Sequence, residues 1–225
     1  MTIKTETVRI VRNTGMKIAG ITRNGSREDR FTVLFENGDE VKVSTAQIAD
    51  FKLYTGSELS GDEYNELRKG LELSSSKARA IRILGSRNLS AREIERRLLS
   101  KGESEETARD TVKWLENAGA INDGEYSAMI VRHYSGKGYG IARIRDELYR
   151  RGIPRDLWDA ALSYIEGEED AASGFLEKKL KGSCDKDDLR RAADTLHRRG
   201  FSYEDARIAI DKYIEARCGT ESKNQ

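Results

Sequence analysis

Three stretches of the chain run into a glycine in the same way, and their spacing constrains the fold more than any other feature. They are Ile94…Leu98-Leu99-Ser100-Lys101-Gly102, Ile144…Leu148-Tyr149-Arg150-Arg151-Gly152 and Ala192…Leu196-His197-Arg198-Arg199-Gly200. In each, a basic residue immediately precedes the glycine, a leucine lies four before it, and an apolar or small residue lies eight before it. The glycines are 50 and 48 residues apart. The match continues downstream, with Ala108, Trp158 and Ala206 at one shared offset and Val112, Leu162 and Ile210 at another. Upstream, Leu84 and Tyr134 correspond; Leu180 lies two residues further from its glycine, which fits a short insertion around Cys184. A period near 50 residues signals a repeat array.

Each unit reads as three helices. In the first, one helix covers about Lys77 to Ser86, a second opens at the capping box Ser90-x-x-Glu93, and a third opens at Ser104 with Glu105 and Glu106 in its first turn. Gly102 supplies the left-handed residue that ends the second helix. The second unit repeats this with Asn122-x-x-Glu125 and with Pro154 at the start of its third helix; the third uses Asp185-x-x-Asp188 and Ser202-x-x-Asp205. A unit of this size buries little alone, so stacking three in a row is expected to complete the core and give a curved, elongated body.

The first 55 residues or so are different. Phe31–Phe35 and Val41–Val43 are β-rich runs flanking Glu36-Asn37-Gly38-Asp39, where Asn-Gly predicts a two-residue type I′ turn. Val8–Val11 and Lys17–Thr22 are further strand candidates, and Ser44 with Gln47 opens a short helix through about Phe51. Ser60 with Glu63 suggests one short helix ending near Gly70, and Ser74-Ser75-Ser76 reads as a break. The expected fold is therefore mostly α: three tandem three-helix repeats preceded by a small β-rich N-terminal module. The expected divisions are 1–55 for that module, 56–76 for a connector, 77–121, 122–167 and 168–217 for the repeats, and 218–225 for a flexible tail.

Charged residues make up 35% of the chain and the net charge is only +1, so any affinity for nucleic acid must come from local clustering. Charges of both signs alternate and the apolar residues are periodic, which argues against disorder. The N-terminus has no apolar signal-like run and nothing approaches a membrane span. Cys184 and Cys218 lie in unrelated contexts with no CxxC, so free thiols in a reducing cytoplasm are the expectation.

Catalytic groups are sparse. His133 and His197 each lie on a helix near arginines, with neither an orienting carboxylate nor a nucleophile suggested at either. Gly136-Lys137-Gly138-Tyr139-Gly140 lacks the GxxxxGK[ST] order of a phosphate loop and follows no strand. It reads as a helix–helix turn, with Lys137 and Tyr139 as a second-choice contact point. Asp185-Lys186-Asp187-Asp188 has no glycine at a sharp turn and no downstream bidentate Glu, so it reads as a helix cap, not a cation loop. No enzyme activity, cofactor or metal is expected.

The basic residues are the candidates for binding. Arg92, Arg96, Arg97 and Lys101 lie on the second helix of the first unit; Arg143, Arg145, Arg150 and Arg151 on that of the second; Arg190, Arg191, Arg198 and Arg199 on that of the third. A helix–glycine–helix joint of this kind can dock on phosphates. The competing reading is a solvated face balanced by Glu93, Glu95, Asp146, Glu147 and Asp194, with the basic residue before each glycine complementing a helix C-terminus. The candidate contact set is Arg92, Arg96, Arg97, Lys101, Lys137, Arg143, Arg145, Arg150, Arg151, Arg198 and Arg199.

Three segments also resemble a known family. They are Asn88-Leu89-Ser90-Ala91-Arg92-Glu93-Ile94 with Leu98 and Lys101-Gly102; Leu115-Glu116-Asn117-Ala118-Gly119-Ala120-Ile121-Asn122-Asp123; and Gly140-Ile141-Ala142-Arg143-Ile144 with Glu147-Leu148 and Arg151-Gly152-Ile153. These are similar to the signatures of the RecX family, regulators of the RecA recombinase in bacteria. The resemblance covers about 77–166 well and the third unit more loosely; Tyr126-Ser127 stands where the family has Phe-Ala. It implies a protein that is not an enzyme; a cytoplasmic location and a monomer are expected beside it. Such a protein binds RecA and RecA–DNA filaments, mainly lowers ATP hydrolysis and strand exchange, and acts in recombination, repair and the SOS response. The competing expectation is a helical-repeat protein that binds DNA without RecA.

Overall fold

The computed structural model describes residues 15–24, 29–85, 87–165 and 168–219. Within these, the chain divides into two compact units, 1–79 and 80–225. The strand expected at Val8–Val11 and residues 220–225 of the expected tail lie outside the described residues.

The first unit is built on strands β1 (Met16–Arg23), β2 (Phe31–Phe35) and β3 (Glu40–Val43), helix α1 (Thr45–Asp50), strand β4 (Glu58–Leu59) and the start of helix α2 (Gly61–Leu84). The strands form an antiparallel sheet in the order β3-β2-β1-β4. Alternation places Met16, Ile18, Val33, Phe35, Val41 and Val43 on one buried face, joined by Leu53, Leu59, Tyr64 and Leu67.

The β2–β3 connection differs from the type I′ turn that Asn37-Gly38 predicts. Phe35 N–H donates to Asp39 O at 2.9 Å, Gly38 N–H donates to Phe35 O at 2.9 Å, and Gly38 has φ +86°. This is a three-residue loop ending on a left-handed glycine. Register decides the matter. The observed pairs Val33↔Val41 and Phe31↔Val43 keep all the valines on the core face. A two-residue loop would shift the register by one and turn Val41 and Val43 to solvent.

The expected connector is also corrected. Ser60 and Glu63 do open a helix: Glu63 N–H donates to Ser60 Oγ at 3.2 Å and Ser60 N–H to Glu63 Oε2 at 2.8 Å. That helix runs unbroken through Gly70 and Ser74–Ser76 to Leu84. Ser74 Oγ donates to Gly70 O at 2.8 Å, and such back-bonding lets a serine sit mid-helix without a turn. Leu59, Tyr64 and Leu67 belong to the first unit's core, so this stretch completes that core and is not a spacer.

The second unit contains the end of α2, then α3 (Ala91–Ser100), α4 (Glu105–Asn117), α5 (Asp123–Ser135) and α6 (Ile141–Arg150). A 3-10 turn at Arg155–Leu157 leads into the short α7 (Trp158–Leu162), followed by α8 (Glu168–Leu180), α9 (Lys186–Arg198) and α10 (Tyr203–Arg217). The expected caps are present at Ser90, Ser104, Asn122, Asp185 and Ser202. Gly102, Gly152 and Gly200 follow the C-caps of α3, α6 and α9 with φ +89°, +71° and +93°.

The packing differs from the shared core that repeat stacking suggests. Each trio closes its own cluster. Ala80, Ile94, Leu98, Ala108 and Leu115 form the first; Ile130, Val131, Ile144, Leu148 and Ala161 the second; Ala172, Leu176, Ala192, Leu196 and Tyr213 the third. The repeated leucines Leu98, Leu148 and Leu196 are each 0% exposed, and burying such a side chain stabilises by about 1.5–3 kcal/mol.

The expectation of free thiols is overturned as well. A disulfide joins Cys184, in the α8–α9 loop, to Cys218, at the C-cap of α10, with Cα atoms 6.0 Å apart. Residues in unrelated sequence contexts meet because α10 folds back along α8 and α9.

Candidate functional site

Two of the three repeated glycines, Gly152 and Gly200, with Arg151 and Arg199 beside them, meet the neighbouring repeat and form two polar joints within the second unit. At each joint, the N-terminus of one repeat's second helix docks against the C-terminal glycine of the next repeat's second helix.

At the first joint, Ser90 Oγ donates to Arg151 O, and Ala91 N–H donates to Asp123 Oδ1 at 2.9 Å, so Asp123 supplies an acceptor to the first turn of α3. Gly152 is wedged against Arg92: a Cβ there would stand 2.5 Å from Arg92 Cδ and 3.0 Å from its Cβ. Arg151 donates from Nε to Glu147 Oε1 at 2.7 Å and from a guanidinium nitrogen to the Tyr126 hydroxyl. The Tyr126 hydroxyl in turn lies 3.5 Å from Glu93 Oε2. Glu93 N–H and Ser90 complete the capping box of α3, which ties this network to the helix start.

Two carboxyls here are shifted in opposite directions. Burial pushes Asp123 above its ordinary value; the Ala91 N–H opposes this and the Glu93 charge adds to it. Burial acts the same way on Glu147, but the hydrogen bonds and charge of Arg151, with Tyr134 and Arg150, outweigh it and hold Glu147 below its ordinary value.

The second joint is made from main chain and one guanidinium. Gly140 N–H donates to Arg199 O at 2.9 Å and Ala142 N–H to Gly200 O at 3.2 Å. Arg199 Nη1 donates to the carbonyls of Lys137 and Gly138 at 3.0 and 3.1 Å, and its guanidinium lies 4.5 Å from the Phe175 ring centre and 5.2 Å from that of Tyr139. The loop Gly136–Gly140 is thus the helix–helix turn that was expected, and it also receives the next repeat.

The candidate basic residues separate accordingly. Arg151 and Arg199 are half-buried and engaged in the joints. Lys101, the corresponding residue of the first repeat, is exposed. Arg92 and Arg143 sit at the joints through their stems and backbone while Arg97 is half-buried on α3. Arg96, Lys137, Arg145, Arg150 and Arg198 are exposed, as are Arg190 and Arg191. Arg150 lies 3.5 Å from Glu147 and Arg191 lies 3.7 Å from Asp188. Beside the first joint, an open groove of about 670 Å³ gathers Arg92, Arg109, Lys113 and Arg155 around the exposed Tyr149, with Glu95 and Glu116 on its wall. Arg109 is balanced there by Glu105 at 2.6 Å and by Glu95 at 4.0 Å.

Asp123, Tyr126, Glu147 and Phe175 were not singled out as site residues in the sequence. Asp123 had a signal, the Ile121-Asn122-Asp123 segment quoted above; for Phe175 we find none. His197 Nδ1 is 2.9 Å from Phe201 O and its ring packs on Tyr203, and His133 packs edge-on to Tyr134. Among the described residues, no three or more His, Cys, Asp or Glu side chains are grouped to hold a metal, and no helix is long and apolar enough to cross a membrane.

The class so defined is a tandem three-helix-repeat protein with separate small cores and polar joints. Comparison with known proteins makes the assignment specific. The family model for the second three-helix domain of RecX matches residues 122–162. A Regulatory protein RecX from Xanthomonas axonopodis pv. citri (strain 306) is 34% identical over 134 residues, covering 58% of this chain and 83% of that protein. One from Stenotrophomonas maltophilia (strain R551-3) is 33% identical over 134 residues, with 58% and 82% covered. Among solved structures, a regulatory protein RecX superposes with a TM-score of 0.70 at 20% identity, covering 87% of this chain and 99% of that one. RecX from Lactobacillus salivarius superposes with a TM-score of 0.58 at 20% identity, covering 63% and 96%. The chain belongs to the RecX family.

Proposed function

We propose that this protein binds the RecA recombinase and its nucleoprotein filament, and that it mainly lowers ATP hydrolysis and strand exchange. The observation that carries the reading is the 34% identity across 83% of a protein named Regulatory protein RecX. The polar joints support it. They leave Arg96, Arg145, Arg150 and Arg198 exposed on successive second helices, where they can meet carboxylates of a protein partner or phosphates of its DNA.

In this reading the contact surface comprises Arg92, Arg96, Arg97, Lys101, Lys137, Arg143, Arg145, Arg150 and Arg198. Arg151 and Arg199 hold the joints that space these residues. The three repeats, proposed as 77–121, 122–167 and 168–217, form the binding body. The protein acts in the cytoplasm as a monomer, without cofactor or chemistry of its own, within recombination, repair and the SOS response.

The test is co-sedimentation of the full chain with single-stranded DNA, with and without RecA, at physiological salt. Retention that requires RecA supports the reading. Equal, tight, steeply salt-dependent retention on bare DNA replaces it with autonomous DNA binding.

A further inference from the structure

We propose that Cys184 and Cys218 form a reversible thiol–disulfide lock on the third repeat, exchanging with small thiols and disulfides of the glutathione class. The reading is independent of RecA, because every readout below uses the protein alone.

Three observations carry it. The two Cα atoms are 6.0 Å apart with the sulfurs bonded, so the fold itself brings the pair to bridging range. Cys184 is exposed at the surface of the α8–α9 loop, so a small thiol can reach it. The same end of α10 is also tied without covalent bonds. Gly182 N–H donates to the Tyr213 hydroxyl at 2.9 Å, and Arg217 donates twice to Glu177, at 3.1 and 3.0 Å. Tyr213 is buried in the third core. Opening the bridge therefore leaves the repeat folded with Arg217 still on Glu177, and frees only the chain at Cys218 and Gly219 beyond that pair, which is what a reversible lock requires.

The exchange balances. Oxidation begins when the Cys184 thiolate attacks a small disulfide; one small thiolate leaves and a mixed disulfide forms. The Cys218 thiolate then attacks the Cys184 sulfur, expels the second small thiolate and closes the bridge. Reduction runs the same steps backwards, with two small thiols becoming one disulfide.

The experiment treats the full chain with oxidised glutathione or with dithiothreitol and measures intact mass, maleimide-reactive thiols, hydrogen exchange and Tm. We expect an oxidised monomer lighter by two hydrogen atoms with no reactive thiol, and a reduced form with two. Reduction should speed exchange of the Cys218 and Gly219 amides, which donate to Ile214 O, by about tenfold, leave the Leu196 and Phe201 amides protected, and lower Tm by several degrees. Cys184→Ser and Cys218→Ser should each abolish the redox dependence of Tm while remaining folded. Two reactive thiols persisting in oxidised glutathione, or disulfide-linked dimers in place of the monomeric bridge, would overturn the proposal. So would loss of the third core on reduction.

Discussion

Gly140 and Gly200 approach so closely that a Cβ on Gly140 would stand 2.4 Å from the Gly200 carbonyl oxygen. The backbone of Gly140 is ordinary, with φ −80° and ψ 169°, so alanine there is opposed by the neighbour and not by its own conformation. Gly140→Ala should separate the second joint and cost about 2 kcal/mol or more. Chemical denaturation checks this, and hydrogen exchange should place the loss at the amides of Gly140 and Ala142.

Arg199 and Arg198 are neighbours in sequence with different tasks. Arg199→Ala removes two hydrogen bonds from Nη1 to carbonyls and the contact with Phe175, and should cost about 1–2 kcal/mol; Arg199→Lys should recover only part of this, because an ammonium does not reproduce the planar guanidinium over Phe175 and Tyr139. Arg198→Ala should stay within about 0.5 kcal/mol of the parent. Equal effects at the two positions would contradict the division between joint and surface.

At the first joint, Tyr126→Phe removes only the hydroxyl that lies between Arg151 and Glu93. The ring fills the same space, so a loss of about 1 kcal/mol should come from the polar network alone. A double-mutant cycle with Glu93→Gln should show coupling, and additivity would exclude it.

The opposite shifts of Asp123 and Glu147 predict opposite pH signatures. Asp123 has its folded value raised, so its contribution is fully present below its unfolded value and is lost as pH rises through the folded one. Asp123→Asn can still accept from Ala91, so it should lose little or gain stability at pH 7 and should remove the gain on mild acidification. Glu147 has its folded value lowered, so its contribution is present above the unfolded value and is lost as pH falls through the folded one. Glu147→Gln should therefore be destabilised at pH 7, with the difference from the parent closing in acid. Tm between pH 3 and pH 7 for the three proteins reads both effects.

The exposed cations should act on binding and not on folding. Arg96→Ala and Arg145→Ala should leave Tm unchanged and weaken retention on RecA–single-stranded-DNA filaments. Where a phosphate is the contact, each should reduce the log–log salt slope by about 0.7–0.9. Retention titrated from low to high salt measures this.

Much of the second unit was legible because its signals are local. Capping residues such as Ser90 and Ser202 satisfy amides three residues away, and Gly102, Gly152 and Gly200 end helices through their own backbone. What could not be read is whatever depends on residues distant in sequence. The basic residue before each glycine looks the same in all three repeats. Only the fold shows that Arg151 and Arg199 meet a joint while Lys101 stays exposed. Separate cores were hidden for the same reason, since periodicity names the buried face but not what covers it. The Cys184–Cys218 pairing spans 34 residues and has no local signature. The hairpin is different: counting valines across the turn would have given the three-residue loop, but the Asn-Gly pair outweighed the register.

The most direct measurement is the single-stranded-DNA-dependent ATP hydrolysis rate of RecA as the full chain is titrated in. The account predicts a falling rate well before one protein per RecA is reached, with Gly140→Ala much weaker because its repeats are no longer held in register. An unchanged rate at equimolar protein, with filaments shown to be present, would contradict it.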